Sequence, residues 1–420
     1  MYCFLWNEAG CGELQVYYKM KVCKARFHKL ALVEAKLSGA GGCGLILCAG
    51  EADMKMKRMV GVLMAFVFAL LALNGCSKGK AAQSGKLIKD TVKVGFVYIG
   101  SIHDEGYTQA HDKGRLALEA EGIKCMYVEN VPENADCEKA IRDLIDQGCN
   151  VIYTTSFGFM DWTIKVAKEF PGVKFGHCSG YKRADNVETY FGRMYEARYL
   201  AGIVAGLKTK ANRIGYVAAF PLPECIRGIN AFALGVQSVN KSATVEVMWT
   251  NTWFDPALEK QAALELLNKG CDVLEQHQDS TAAQLAAQGK GAFAIGYNTS
   301  TPDAAPAAYL TAPIFNWSVF YKEDMDALLN GSWKSQAYWM GLSNGMTDLD
   351  KLSPLCAPGT AEAVDRAKQG IIGGSLKVFA GPIADQSGAE KIAAGTEMSD
   401  DDIWNMKWFV KGVIGTIPNN

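Results

Sequence analysis

From Val92 to Tyr297 the chain repeats one pattern: a short apolar run, a polar turn, and a longer stretch of helical periodicity. The opening copy is VKVGFVYIGSIHDEGYTQAHDKGR, Val92 to Arg115. Val92, Val94, Phe96, Val97 and Ile99 make a strand-like run that stops at Gly100. A polar loop with His103, Asp104 and Gly106 follows, and from Tyr107 the spacing of Ala110, Gly114, Leu116 and Ala117 turns helical. A buried strand that empties through a glycine loop into a helix opens a βαβ unit. Ligands of such sheets gather outside the carboxyl ends of the strands, which places Ser101–Tyr107 at a site.

The alternation then continues. The spacing predicts helix 107–121, strand 124–128, helix 135–147, strand 151–155, helix 160–170 and strand 174–178. Gly122, Gly148 and Pro171-Gly172 punctuate the ends. A long apolar helix over 195–207 is followed by a second series. It comprises strand 213–218, helix 223–239, strand 244–249, helix 256–268, strand 272–276, helix 281–288 and strand 292–297. Two consecutive series of this kind predict an α/β protein of two lobes, each a doubly wound parallel sheet, with a cleft between them. Beyond Tyr309 the pattern is less regular, with a helix near 319–329 and many Trp and Gly residues, as expected of segments that cross back between lobes.

A formal net charge of -1 gives no electrostatic footing for nucleic acid. Of the 13 cysteines, five precede residue 54, one is Cys76, and the rest are scattered without a CxxC pair, so no metal site is expected. One disulfide between distant partners stays open.

Residues 1–53 show no clear periodicity. Met54 begins MKMKRMVGVLMAFVFALLALNGCSKGK, with Lys55, Lys57 and Arg58 ahead of an apolar run from Met59 to Leu73. That run is shorter than the roughly 20 residues of a membrane span, and with its cationic start it reads as a signal peptide. Leu73-Asn74-Gly75-Cys76 resembles a bacterial lipoprotein processing box, with Asn74 its less usual member. The expected division is therefore a mis-annotated extension (1–53), a signal peptide (54–76), a polar tether (77–90), lobe I (91–208), lobe II (209–315), and a C-terminal segment (316–420) shared between lobes. Lipidation at Cys76 would anchor the protein to the membrane of a bacterial cell envelope.

HDEGYTQAHDKGR, YFGRMYEARYLAGIVAG, RIGYVAAF before PECIRGINAFALG, and WFDPALEKQAALELLNKGCDV occur here in that order. The set resembles the basic membrane protein family of substrate-binding lipoproteins, which includes purine nucleoside receptors of ABC importers. The resemblance spans nearly all of Thr91 to Asn420. The tail (NWSVFY, FAGPIADQSG, MKWFVKGVIGTIPNN) is similar to a branch associated with free purine bases. The family implies a type I periplasmic-binding fold, a purine base or nucleoside as ligand, an ABC permease as partner, and a monomer.

A purine needs aromatic faces and a few fixed polar groups in its plane; stacking on an aromatic contributes about 1–3 kcal/mol. Tyr107 falls where the family places a stacking aromatic; its alternative is packing at a helix start. Phe157 and Phe159 follow the third strand, and Phe157 is assigned to the cleft. Asp104 could accept from a purine N–H or cap the helix that follows, and Asp161 carries the same two readings. Trp253 follows a second-lobe strand, with core packing as its rival. His277, Gln278 and Asp279 follow another, and His277 and Asp279 are taken as ligand contacts. No second His or nucleophile motif accompanies them, so no catalytic residue and no cofactor are expected. In nucleoside-binding members the place of Asn298 looks like an Asp that grips ribose, and the region of Asn316 and Trp317 holds a Lys that touches it. Both departures point to a free base or deoxy compound. Two other classes are weighed. A nucleoside hydrolase would want an Asp cluster in the first loop, and a sugar-sensing regulator would want an N-terminal helix-turn-helix.

Overall fold

The computed structural model describes residues 86–418, together with the backbone of 17–25, 28–36 and 47–49. Residues up to Ala81 form a unit of their own. In it, strands β1 (Tyr17–Ala25), β2 (His28–Lys36) and β3 (Leu47–Ala49) pair antiparallel in that order, where no periodicity had suggested strands. The signal segment, Cys76 and most of the tether lie outside the described residues.

Two six-stranded parallel sheets organise the rest. The first contains β4 (Lys93–Val97), β5 (Lys124–Val128), β6 (Val151–Thr154), β7 (Lys174–Cys178) and β8 (Val187–Gly192), completed by β15 (Ala337–Met340) in the order β15-β8-β7-β6-β4-β5. Its strands alternate as a two-sided sheet requires. Val94, Phe96 and Tyr98 face helices α1 (Tyr107–Ala120) and α8 (Ser318–Asn330), packing with Phe320 and Tyr321. Val97 and Ile152 face α2 (Ala135–Asp146) and α3 (Met160–Glu169), packing with Ile141, Leu144 and Val166. Each large apolar side chain buried this way contributes about 1.5–3 kcal/mol.

The second sheet follows the order β13-β12-β11-β9-β10-β19. These are β9 (Arg213–Ala218), β10 (Thr244–Trp249), β11 (Val273–His277), β12 (Phe293–Ile295), β13 (Tyr309–Thr311) and β19 (Val413–Ile414). Helices α4 (Met194–Lys208) and α5 (Pro223–Val239) share one core with this sheet, and α6 (Pro256–Asn268) and α7 (Ala282–Gly289) another. α4 therefore packs in lobe II although it follows the last consecutive strand of lobe I. Gly202 allows this: a β-carbon there would lie 2.1 Å from the Phe232 carbonyl oxygen of α5.

The chain crosses between lobes after β8, after β14 (Pro313–Phe315), which leads into α8, and again after β15. β14 also pairs antiparallel with β16 (Thr347–Leu349), and β17 (Ile383–Ala384) with β18 (Glu390–Ile392), outside both large sheets.

The expected alternation holds, with element ends moved by about a residue and with β8 and β13 as strands that the spacing does not indicate. β8 joins β7 without an intervening helix, β12 is shorter than expected, and β11 runs one residue later, so His277 ends the strand rather than following it. The irregular C-terminal segment supplies one strand to each sheet.

Candidate functional site

Between the lobes lies a cavity of about 380 Å³, its open mouth included, lined by Ile99, Tyr107, Ser156 and Phe157, Ser179, Glu224, Trp253, His277 and Asp279, and Tyr297. The first four and Ser179 come from the carboxyl ends of β4, β6 and β7 or the helix start beyond. The others follow β9, β10, β11 and β12, or end them. Both walls are thus built from strand ends, where backbone leaving a sheet presents side chains to the cleft.

On the lobe I wall the Tyr107 hydroxyl donates to the Thr155 carbonyl at 2.6 Å and lies 3.2 Å from Cys178 Sγ. Its ring meets His111 edge-on at 4.6 Å, so the side chain is held at both ends. Burial, then the neighbouring Cys178, push its phenol pKa well up. Ser156 donates to Glu133 at 2.6 Å, and the Gly158 amide donates to the same oxygen, which holds the Phe157 turn. Phe157 is 37% exposed at the lip of the cleft, whereas Phe159 is fully buried under the sheet.

On the lobe II wall His277 Nε2 lies 3.4 Å from Glu224 Oε1 and 3.3 Å from the Tyr297 hydroxyl. Burial lowers the pKa of this imidazole to about 4, against the opposing hydrogen bond to Glu224, so it is neutral at neutral pH. The Arg198 guanidinium lies 3.8 Å over the Tyr297 ring and is itself fully buried against Glu275. Trp253 meets Phe220 edge-on at 5.0 Å. The carboxyl of Asp279 is pushed well above its usual range by burial, then by the charges of Asp104 and Glu259.

The lobes touch beside this cavity. A β-carbon on Gly106 would stand 2.3 Å from the Asp279 carbonyl oxygen. Thr281 donates to Glu105 at 3.3 Å, and Lys113 donates to the Thr299 hydroxyl.

Five of the ten ligand contacts expected from sequence line the cavity: Tyr107, Phe157, Trp253, His277 and Asp279. The other five lie elsewhere. The Asp104 carboxylate accepts from the amides of Gly106, Thr108 and Gln109, satisfying the start of α1. Asp161 is exposed and pairs with Lys182 at 2.5 Å. Asn316 is exposed and accepts from Ser318, while Trp317 is fully buried, stacked on His111 at 4.0 Å and on Phe315 at 4.3 Å. Asn298 is buried behind Asp279, to which its amide donates at 2.8 Å.

Sequence reasoning missed Ile99, Ser156, Ser179, Glu224 and Tyr297. The signal that could have found four of them is the strand-end rule already applied to β6 and β11. Glu224 was hidden by Pro223, which marks a helix start and drew attention to the helix alone. Within residues 86–418 the seven cysteines are all free thiols, and among the described residues no cluster of three or more His, Cys, Asp or Glu side chains could hold a metal. No described helix is long and apolar enough to cross a membrane.

Aromatic faces contributed by both lobes, two carboxyl groups and no Lys or Arg in the lining suit a flat, uncharged solute bearing N–H or O–H donors. Two parallel-sheet lobes around such a cavity define a two-lobed solute-binding protein. The sequence model of the Bmp family, described as ABC transporter substrate-binding protein PnrA-like, matches residues 91–378, and the chain belongs to that family. It is 40% identical to a purine-binding protein of Brucella abortus over 83% of this chain and 99% of that one. It is 38% identical to a Haloferax volcanii protein, named as a candidate ABC transporter glucose-binding protein, over 79% of this chain and 82% of that one. In fold it is similar to a solute-binding protein of an ABC transporter system from Conexibacter woesei (TM-score 0.60, 21% identity, 68% of this chain and 98% of that one).

Proposed function

We propose that this protein captures a purine base or nucleoside in the interlobe cavity and delivers it to an ABC permease from the extracytoplasmic face of a bacterial membrane, to which a lipid on Cys76 anchors it. The reading involves no covalent chemistry. The observation that carries it is the composition of the cavity wall. Tyr107 and Phe157 from one lobe and Trp253 and Tyr297 from the other supply flat faces, and Glu224 and Asp279 supply acceptors. A purine offers two π faces and N–H donors in its plane, and the absence of a cation from the lining disfavours nucleotides. The relative named as purine-binding supports the same ligand class.

The free base is the favoured form. Where nucleoside-binding members resemble one another in an Asp that grips ribose, this chain has Asn298, whose NH2 donates to Asp279. A sugar is the rival ligand, raised by the name of the Haloferax relative. Calorimetry with adenine, guanine, hypoxanthine, their ribosides and glucose, on protein stripped of carried-over ligand, separates them. At least one purine binds at micromolar affinity or tighter, about -8 kcal/mol, and a base binds at least as well as its riboside. Glucose binding without purine binding overturns the reading. A riboside favoured by more than tenfold overturns the base assignment alone.

A further inference from the structure

We infer that Asn298 is a positioning residue: it fixes the Asp279 carboxyl so that Asp279, and not residue 298, meets the ligand. The inference rests on the purine reading for the identity of the ligand, but its geometry does not. Asn298 is fully buried and absent from the cavity lining. Its φ of 69° lies in the left-handed region, which Asn enters more readily than most residues. Its carbonyl accepts from the Phe315 amide at 3.0 Å, anchoring the turn to the crossover segment. From there Nδ2 donates to Asp279 Oδ1 at 2.8 Å.

Asp279 is held at three points. Its amide donates to the Trp253 carbonyl at 3.1 Å, its own carbonyl abuts Gly106 of the opposite lobe, and Oδ1 is taken by Asn298. Oδ2 has no hydrogen-bond partner among the described residues and belongs to a side chain of the cavity wall. It is the oxygen left for an occupant.

The amide also explains why residue 298 is uncharged. Asp104, Glu259 and Glu224, from the α1 loop, α6 and α5, already act on Asp279 as like charges. A carboxylate at 298 would set a second acid 2.8 Å from the first, with no donor between them unless the two share a proton. In this chain Asn298 therefore orients a ligand-reading acid instead of reading ribose itself.

The test combines affinities with pH profiles. Asn298→Gly removes the amide while keeping the left-handed backbone, which glycine accepts without strain. Asn298→Gly and Asp279→Ala should each weaken purine binding about tenfold, and the double variant should bind no more weakly than Asp279→Ala alone. Losses that multiply, or unchanged affinity in Asn298→Gly beside a weakened Asp279→Ala, overturn the inference. Asn298→Asp supplies a readout that needs no ligand. Its paired carboxyls are favoured when they share a proton, so the melting temperature of ligand-free protein should fall as pH rises from 5 to 8, more steeply than in wild type. A profile parallel to wild type overturns the juxtaposition. Wild-type protein that binds neither purine base nor riboside overturns the proposed function instead, and the ligand-free melts still decide this inference.

Discussion

The carbonyl of Asp279 in lobe II sits against the α-carbon of Gly106 in lobe I, so close that a β-carbon there would approach its oxygen to 2.3 Å. Contact between the lobes thus depends on a missing side chain beside the ligand cavity. Gly106→Ala should leave the separated lobes untouched but stop them from meeting. Purine affinity should fall at least tenfold, about 1.4 kcal/mol, while the melting temperature of ligand-free protein stays near wild type. Small-angle scattering should show that ligand no longer compacts the variant. Normal compaction would mean that the loop yields and the contact is incidental.

Tyr107 both faces the cavity and is tied to lobe I through its hydroxyl. Tyr107→Phe leaves the Thr155 carbonyl without this donor and should cost about 0.5–1.5 kcal/mol of stability, with affinity within a few-fold of wild type. Tyr107→Ala removes the π face and should weaken purine binding by about 1–3 kcal/mol. Titrations and melts on both variants check the pair of effects. An Ala variant that is destabilised but binds normally would make Tyr107 scaffold only.

His277 is held neutral by burial, its pKa lowered to about 4 from roughly 6.5 in an unfolded chain. The unfolded state gains its proton first as pH falls, so this residue's contribution is intact above about pH 6.5 and is lost between there and about pH 4. The loss is on the order of 3 kcal/mol. The buried His177, lowered to about 3, acts in the same direction. His277→Gln should show a shallower acid limb in melting temperature between pH 7 and pH 4.5. An unchanged limb would assign the acid sensitivity to other groups.

Lipid anchoring is tested by expression from Met54 in a bacterial host. The wild-type sequence should partition into detergent, and Cys76→Ser should abolish that partitioning or leave the precursor unprocessed. Equal partitioning of the two would remove the anchor.

The alternation of elements was legible because a buried parallel strand is a short apolar run, and Gly100, Gly122 and Gly148 mark where runs and helices stop. β8 escaped because VETYFG contains Glu188, a polar residue that reads as surface in sequence yet is fully buried in lobe I. The cavity was half legible. Strand-end position, joined for Tyr107 by the family resemblance, selected Tyr107, Phe157, Trp253, His277 and Asp279, but the same rule also selected Asp104, Asp161 and Asn298, which lie outside the cavity.

What the sequence alone determined was the class of fold and the stretches from which a site could be drawn. Hydrophobic period and turn chemistry act over a few neighbouring residues and can be read along the chain. Only the tertiary structure decided that Asp161 and Asn316 face water, that Asp104 spends its oxygens on α1, and that Asn298 serves Asp279. It also decided that Gly106 receives the Asp279 carbonyl. Asn298 and Gly106 each meet Asp279 across a long stretch of chain, whereas Asp104 binds amides a few residues on, and only the folded loop chose that cap over the cleft. A hydrogen bond is set by a few tenths of an ångström in the packing of separate elements, and local sequence pattern carries no record of that distance.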